Sequence, residues 1–176
     1  MRIIAGTLKG RRLAAPPPGD QRVRPTSDRA REALFSILQR WPSGPFLDLC
    51  AGTGAVGLEA YSRGYGPVAC VEASEPGWSC LIRNVQSTGI QALHTDLRRL
   101  PEDAFAGQAV VFLDPPYDQA PALWNRMAPR LRAWMAPGGI LVFETDRQTE
   151  LELQNGWVLA ERREYGAARF HFWAPA

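Results

Sequence analysis

The chain has 176 residues, 45% of them hydrophobic, with a net charge of +2, three cysteines and two histidines. This length suits one domain with a substantial core and is short for two. The sequence has no apolar run long enough for a membrane span, no hydrophobic centre behind its charged amino terminus, no C-x-x-C pair and no ordinary zinc constellation. A membrane protein, a disulfide scaffold and a metalloprotein are therefore set aside, and a cytoplasmic monomer is expected.

Charge is unevenly placed. Through Arg31 the basic residues Arg2, Lys9, Arg11, Arg12, Arg22, Arg24, Arg29 and Arg31 face only Asp20 and Asp28, so a front end of +6 precedes a body of −4. That polarity suggests a polyanionic partner held at one end of the molecule, or simply a solvated face.

In chain order, Arg2–Thr7 and Lys9–Leu13 read as a small hairpin or strand pair punctuated by glycine. Residues 14–25, with four prolines and a glycine, read as a loop. Thr26, Ser27 or Asp28 can cap an amphipathic helix, in which Ala30, Ala33, Leu34, Ile37 and Leu38 recur at helical spacing, and Trp41-Pro42-Ser43-Gly44-Pro45 ends it. Strand and helix patterns then alternate: strand 46–49, a helix from 55, strand 68–72, a helix over 76–88 closed by Gly89, strands 91–94 and 109–113, a helix over 120–132 and strand 140–144. Such alternation predicts an α/β fold, a parallel sheet covered on both faces. The segments 157–163 and 169–173, joined through Tyr165-Gly166, predict an antiparallel hairpin closing that sheet.

Two short stretches carry chemistry. Asp48-Leu49-Cys50-Ala51-Gly52-Thr53-Gly54 ends the first strand of the alternation, and Gly52 opens a G-x-G-x-x-G pattern with Glu72 at the end of the next strand. Strand, glycine turn, helix start and ribose-binding acid in register point to an adenosine-containing cofactor, against the plain alternative of a turn that only packs helix on strand. Asp48 discriminates between cofactors. A dinucleotide pyrophosphate at the helix N-terminus would meet a carboxylate, whereas S-adenosylmethionine has no phosphate and carries cationic ammonium and sulfonium groups. The expected cofactor contacts are Asp48, Ala51, Gly52, Gly54, Glu72, Ala73 and Asp96. Asp96 reads equally as a cap before Leu97, and Thr26 could fold back over the cofactor.

Asp114-Pro115-Pro116-Tyr117 ends another apolar run. An exocyclic base amine is a poor nucleophile because its lone pair is delocalised into the ring. A catalyst must accept its N–H hydrogens, and Asp114 with the Pro115 carbonyl could do so on a backbone stiffened by two prolines, with Tyr117 as a stacking face. A proline-rich turn with Asp114 as a cap is the plain alternative. Arg24 and Arg31, with Arg11 and Arg12 upstream, are candidates for RNA phosphates, weighed equally against a well-capped surface helix. Arg162, Arg163 and Arg169 read better as charged protection of an edge strand. Glu144 could face the pocket, though nothing in the sequence requires it.

Arg2-Ile3-Ile4-Ala5-Gly6 with Gly10-Arg11, then Arg24-Pro25-Thr26 through Arg31-Glu32-Ala33-Leu34-Phe35, then the glycine loop and D-P-P-Y together resemble the bacterial RsmD family. The resemblance runs nearly end to end, with Ala5 where the family usually has glycine and Ser74 where an aspartate is common. It implies a Rossmann-like class I methyltransferase with a seven-stranded sheet, using S-adenosylmethionine to methylate guanine N2 at position 966 of 16S ribosomal RNA. The substrate would be the small ribosomal subunit or its assembly intermediate. Residues 1–41 are expected to form a basic extension over RNA and cofactor, and 42–176 the methyltransferase domain. The rivals are a DNA adenine-N6 methyltransferase, a protein-glutamine methyltransferase, a non-catalytic nucleic-acid binder and a dinucleotide oxidoreductase.

Overall fold

Strands that are apolar at nearly every position need cover on both faces. In the computed structural model of the chain, which describes residues 1–16 and 26–176, they have it. The elements in order are α1 (Asp28–Leu38), β1 (Phe46–Leu49), α2 (Ala55–Ser62), β2 (Val68–Glu72), α3 (Glu75–Asn84), β3 (Gln91–His94), β4 (Gln108–Leu113), α4 (Ala120–Trp134), β5 (Met135–Asp146), β6 (Trp157–Tyr165) and β7 (Ala168–Pro175). The seven strands line up as β3-β2-β1-β4-β5-β7-β6. The β3-to-β5 part is parallel, and β7 and β6 join antiparallel. Strands β1, β2 and β4 are buried throughout.

Alternate residues of each strand feed two cores. On one face Phe46, Val68, Phe112 and Val142 pack with Leu34, Phe35 and Leu38 of α1, Val56 and Leu58 of α2 and Leu81 of α3, and Ile3 and Leu13 join this cluster. On the other face Leu47, Val71, Val111 and Phe143 meet Trp124, Met127, Leu131 and Trp134 of α4. Contact between α2 and the sheet is close enough that a Cβ on Gly57 would fall 2.4 Å from Cys70 Sγ.

Two local expectations need correction, and the opening hairpin holds in reduced form: it has one antiparallel bridge, Arg2 to Arg12, with Ile3 N–H on Arg11 O, Gly10 N–H on Ile3 O and Leu13 N–H on Met1 O. The N–H groups of Ile4 and Ala5 donate instead to the buried Glu59 carboxylate, at 2.8 and 3.0 Å, which takes them out of any ladder. Helix α3 stops at Asn84, and the left-handed residue beyond it is Ser87, φ 62°, instead of Gly89. Arg11 donates to the carbonyls of Asn84 and Gln86, while the Asn84 side chain accepts from Ala14 N–H, so contacts from the amino-terminal segment cap the helix early. Strand β5 runs well past 140–144 in both directions. Among the described residues no helix is long and apolar enough to cross a membrane.

Candidate active site

After β3 the chain crosses back to place β4 beside β1, so strand order reverses between those two strands. In open α/β sheets the carboxyl edge at such a point opens a crevice. Leu49 of β1 stands opposite Leu113 of β4, and Asp114 N–H donates to Leu49 O at 3.4 Å. The glycine loop and D-P-P-Y thus leave the sheet side by side.

Beyond Leu49 the chain turns at Cys50, whose φ of 60° is left-handed, a conformation that costs a non-glycine residue roughly 1 kcal/mol or more. Gly52 and Gly54, with φ of 55° and 77°, complete the turn into α2. Glu72, 7% exposed, accepts Gly52 N–H and Ser74 N–H, both at 2.6 Å, and so ties the loop to the end of β2. A carboxylate has roughly four acceptor positions, which leaves Glu72 capacity for a ligand's hydroxyls.

Beneath the loop Asp48 is 1% exposed, and its Oδ2 accepts Gly57 N–H at 2.8 Å. Burial pushes its carboxyl from 3.8 up to about 7; the Gly57 N–H pulls it back, while the charges of Glu72 and Glu144 push it further. Asp96 caps the short turn Leu97–Arg99 by accepting Arg98 N–H, and the Arg98 guanidinium grips it, holding its carboxyl below the ordinary range. Asp96 is thus a cap, and it also lines the cavity described below.

On the acceptor side Pro115 is buried and Pro116 exposed, at the start of a short turn, Tyr117–Gln119, that leads into α4. Neither Pro116, at the start of that turn, nor Gln119, at the start of α4, caps its helix with a side chain. Tyr117 is half-buried, and its hydroxyl donates to Glu144 Oε1 at 3.4 Å. Thr26 donates to Glu144 Oε2 at 3.2 Å. Glu144 itself is 3% exposed; burial pushes its carboxyl up to about 7, and the two hydroxyls hold it back. The available sequence signal is an acid at the end of the strand next to the one ending in Asp114.

A cavity of about 720 Å³ opens over this edge, lined by Gly52, Glu72, Ala73 and Asp96 from the cofactor side and by Asp114, Pro115, Pro116 and Tyr117 from the acceptor side. Among the described residues five carboxylates line it, those of Glu72, Asp96, Asp114, Asp118 and Asp146, against one guanidinium, that of Arg98. A smaller cavity of about 30 Å³ holds Thr26, Asp48 and Ala51, and shares Cys50, Gly52 and Asp114 with the larger one. Gly54 lines neither; it begins α2, where a Cβ would fall 2.5 Å from Leu81 Cδ1. It shapes the loop from behind.

The basic front end divides. Arg31, expected to be a phosphate ligand, is instead fully buried, paired with Asp28 at 2.9 Å and Glu59 at 3.6 Å, and locks α1 onto α2. Arg11 is half-buried on the end of α3, while Arg2, Lys9, Arg12 and Arg29 are exposed. Arg22 and Arg24 lie outside the described residues. Arg162 and Arg163, on the edge strand β6, pair with Glu150 and Glu161, as expected of a charged edge, whereas Arg169 sits on β7 inside the sheet and pairs with Glu150 and Glu164. Among the described residues no group of three or more His, Cys, Asp or Glu side chains is arranged to hold a metal ion.

Comparison with known proteins bears on this geometry. The model of the family described as conserved hypothetical protein 95 matches residues 1–174. A Bacillus subtilis protein named "Putative rRNA methyltransferase YlbH" is 31% identical over 94% of each chain. Haemophilus influenzae "Ribosomal RNA small subunit methyltransferase D" is 28% identical over 98% of this chain and 93% of its own. The solved structure of a hypothetical protein from Thermus thermophilus superposes with a TM-score of 0.82 over 98% of both chains, at 29% identity.

Proposed function

The chain belongs to the conserved hypothetical protein 95 family, and on that footing we propose that it is an S-adenosylmethionine-dependent ribosomal RNA methyltransferase acting on the exocyclic N2 of a guanine in 16S RNA. In this reading it works as a cytoplasmic monomer on the small subunit or its assembly intermediate, at a nucleotide of the 966 type. The observation that carries the proposal is the adjacency of the two strand tips, with Asp114 N–H on Leu49 O. Loops of two different chemical characters thereby open into one cavity.

The cavity's donor set fits a cationic cofactor. Among the described residues its wall has five carboxylates and a single guanidinium already engaged by Asp96, a field that repels a pyrophosphate and favours sulfonium and ammonium groups. Glu72 and Ala73 would hold the ribose side, Asp96 the adenine side, and Asp48, Ala51, Gly52 and Thr26 the amino-acid side. When bound, the cofactor supplies an electrophilic methyl group.

The remaining work belongs to the protein. A guanine leaving its stack costs a few kcal/mol, and the Tyr117 ring offers a replacement surface. Asp114 and the Pro115 carbonyl would accept the N–H hydrogens of N2 and aim its lone pair. The displaced proton passes to water or to Asp114 after transfer. In a neighbourhood that also receives a sulfonium, orientation and not proton abstraction is the main contribution of Asp114. The exposed Arg2, Lys9, Arg12 and Arg29 would meet RNA phosphates outside the acidic cavity.

Labelled methyl donor supplied with small subunits, free rRNA and duplex DNA, followed by nucleoside mass spectrometry, tests the assignment. N2-methylguanosine in rRNA is the expected product. Methylated adenine in DNA would transfer the case to the rival reading, because D-P-P-Y suits any planar exocyclic amine.

A further inference from the structure

The Glu144 side chain is buried where water cannot satisfy it, yet both of its oxygens are engaged by hydroxyls from separate parts of the chain. Tyr117, on the acceptor loop, donates to Oε1 at 3.4 Å, and Thr26, at the entry to α1, donates to Oε2 at 3.2 Å. Each oxygen has one such partner, so the carboxylate forms a bridge between segments 91 residues apart in sequence, from Thr26 to Tyr117. The bridge stands on a rigid base. Glu144 lies opposite Phe170 in the ladder between β5 and β7, and Phe170 is fully buried. The Tyr117 ring, by contrast, is half-buried at the cavity wall, on a short turn without a side-chain cap. The same carboxylate connects the cavity to the basic front end, because Thr26 immediately precedes the Ser27 cap of α1.

We propose that Glu144 is a positioning residue: it holds the Tyr117 ring in its stacking orientation and couples the acceptor loop to the start of α1 through Thr26. The inference rests on the methyltransferase reading for its kinetic consequences, but its geometric part does not. Removing the bridge releases the ring and slows the chemical step; because it also frees Thr26, cofactor affinity is followed as a separate quantity. Misplacing a reacting partner by about 1 Å costs on the order of a hundredfold in rate; a ring that retains its loop contacts should lose less, about tenfold.

The test uses the full chain carrying Glu144→Ala, Glu144→Gln, Tyr117→Phe and Thr26→Val, with two readouts. The first is the kcat and KM for small subunits, beside the dissociation constant of S-adenosylhomocysteine. The second is the fluorine resonance of Tyr117 in protein labelled with 3-fluorotyrosine, assigned by its loss in Tyr117→Phe among the four tyrosines. The expected result is a fall in kcat of about tenfold in Glu144→Ala, partial recovery in Glu144→Gln, no further loss when Tyr117→Phe is added, and, in Tyr117→Phe alone, which leaves Thr26 and the Glu144 charge in place, S-adenosylhomocysteine affinity within about twofold of the parent. The Tyr117 resonance should shift in Glu144→Ala and in Thr26→Val. Should Glu144→Ala fail to fold, Glu144→Gln and Thr26→Val carry the comparison. An unmoved resonance, or losses from Glu144→Ala and Tyr117→Phe that simply multiply, would overturn the proposal. A shifted resonance in a protein that methylates no RNA would uphold the bridge and defeat the functional reading instead.

Discussion

Asp48 is the group whose protonation the cofactor should control. Its carboxyl stands at about 7 in place of 3.8, which at roughly 1.4 kcal/mol per unit corresponds to about 4 kcal/mol held against ionisation. A sulfonium or ammonium brought near favours the charged form, so S-adenosylmethionine binding drives a proton off. Below pH 7 the dissociation constant then rises about tenfold for each unit of acidification, and at pH 5 it is about a hundredfold above its value at pH 8. The sign for folding runs the opposite way. A raised carboxyl stabilises the ligand-free protein in acid, and that contribution is lost as the pH climbs from about 4 through about 7. Asp48→Asn has no proton to release. It should flatten the pH dependence of binding and leave the ligand-free protein more stable than the parent at pH 8. Calorimetry across this range, in two buffers of different ionisation enthalpy, reads both the affinity and the number of protons released. S-adenosylhomocysteine, without the sulfonium charge, should give a shallower slope. An affinity independent of pH, or a slope that survives in Asp48→Asn, would refute the reasoning; Glu144 titrates in the same range and would then be the group to examine.

Other outcomes follow from the same geometry. Asp114→Ala should retain S-adenosylhomocysteine binding in a thermal-shift assay while methyl transfer falls by about a hundredfold or more, as expected when a donor-orienting group is removed. Arg31→Met removes the buried guanidinium between Asp28 and Glu59, but Glu59 keeps Arg63 and two backbone N–H donors, so the fold should lose about 1–3 kcal/mol in urea denaturation. Arg12→Ala, by contrast, should leave the urea midpoint alone and reduce the salt dependence of RNA binding by about one counterion. Gly54→Ala places a methyl group 2.5 Å from Leu81 Cδ1 at a φ of 77°. It should lower stability by about 1–3 kcal/mol and weaken cofactor binding through distortion of the loop, measured by denaturation and calorimetry.

Much of the architecture is written locally. The apolar runs that become β1, β2 and β4 are short, bounded by glycine and proline and flanked by amphipathic segments, so their pairing in a covered parallel sheet follows from burial requirements alone. Both loops are legible for a similar reason. Glycines that permit left-handed turns at Gly52 and Gly54, and prolines that stiffen the chain after Asp114, act within a few residues of themselves. Arg31 escapes local reading because its spacing on α1 suits a surface helix, and only the docking of α2 brings Glu59 against it. The early end of α3 has the same origin, since the guanidinium that takes the carbonyls of Asn84 and Gln86 comes from residue 11.

Local residue pattern dictates which stretches become strands and helices, where the backbone turns, and which two loops carry the chemistry. Which charges are deprived of water is settled only when the elements pack. Thr26 and Glu144 lie 118 residues apart, and no local pattern reports a hydrogen bond that exists only because the start of α1 packs against the end of β5. Desolvation belongs to the assembled fold: the same carboxyl is an ordinary acid in the open chain and a group poised near neutrality once β1 and α2 close over it.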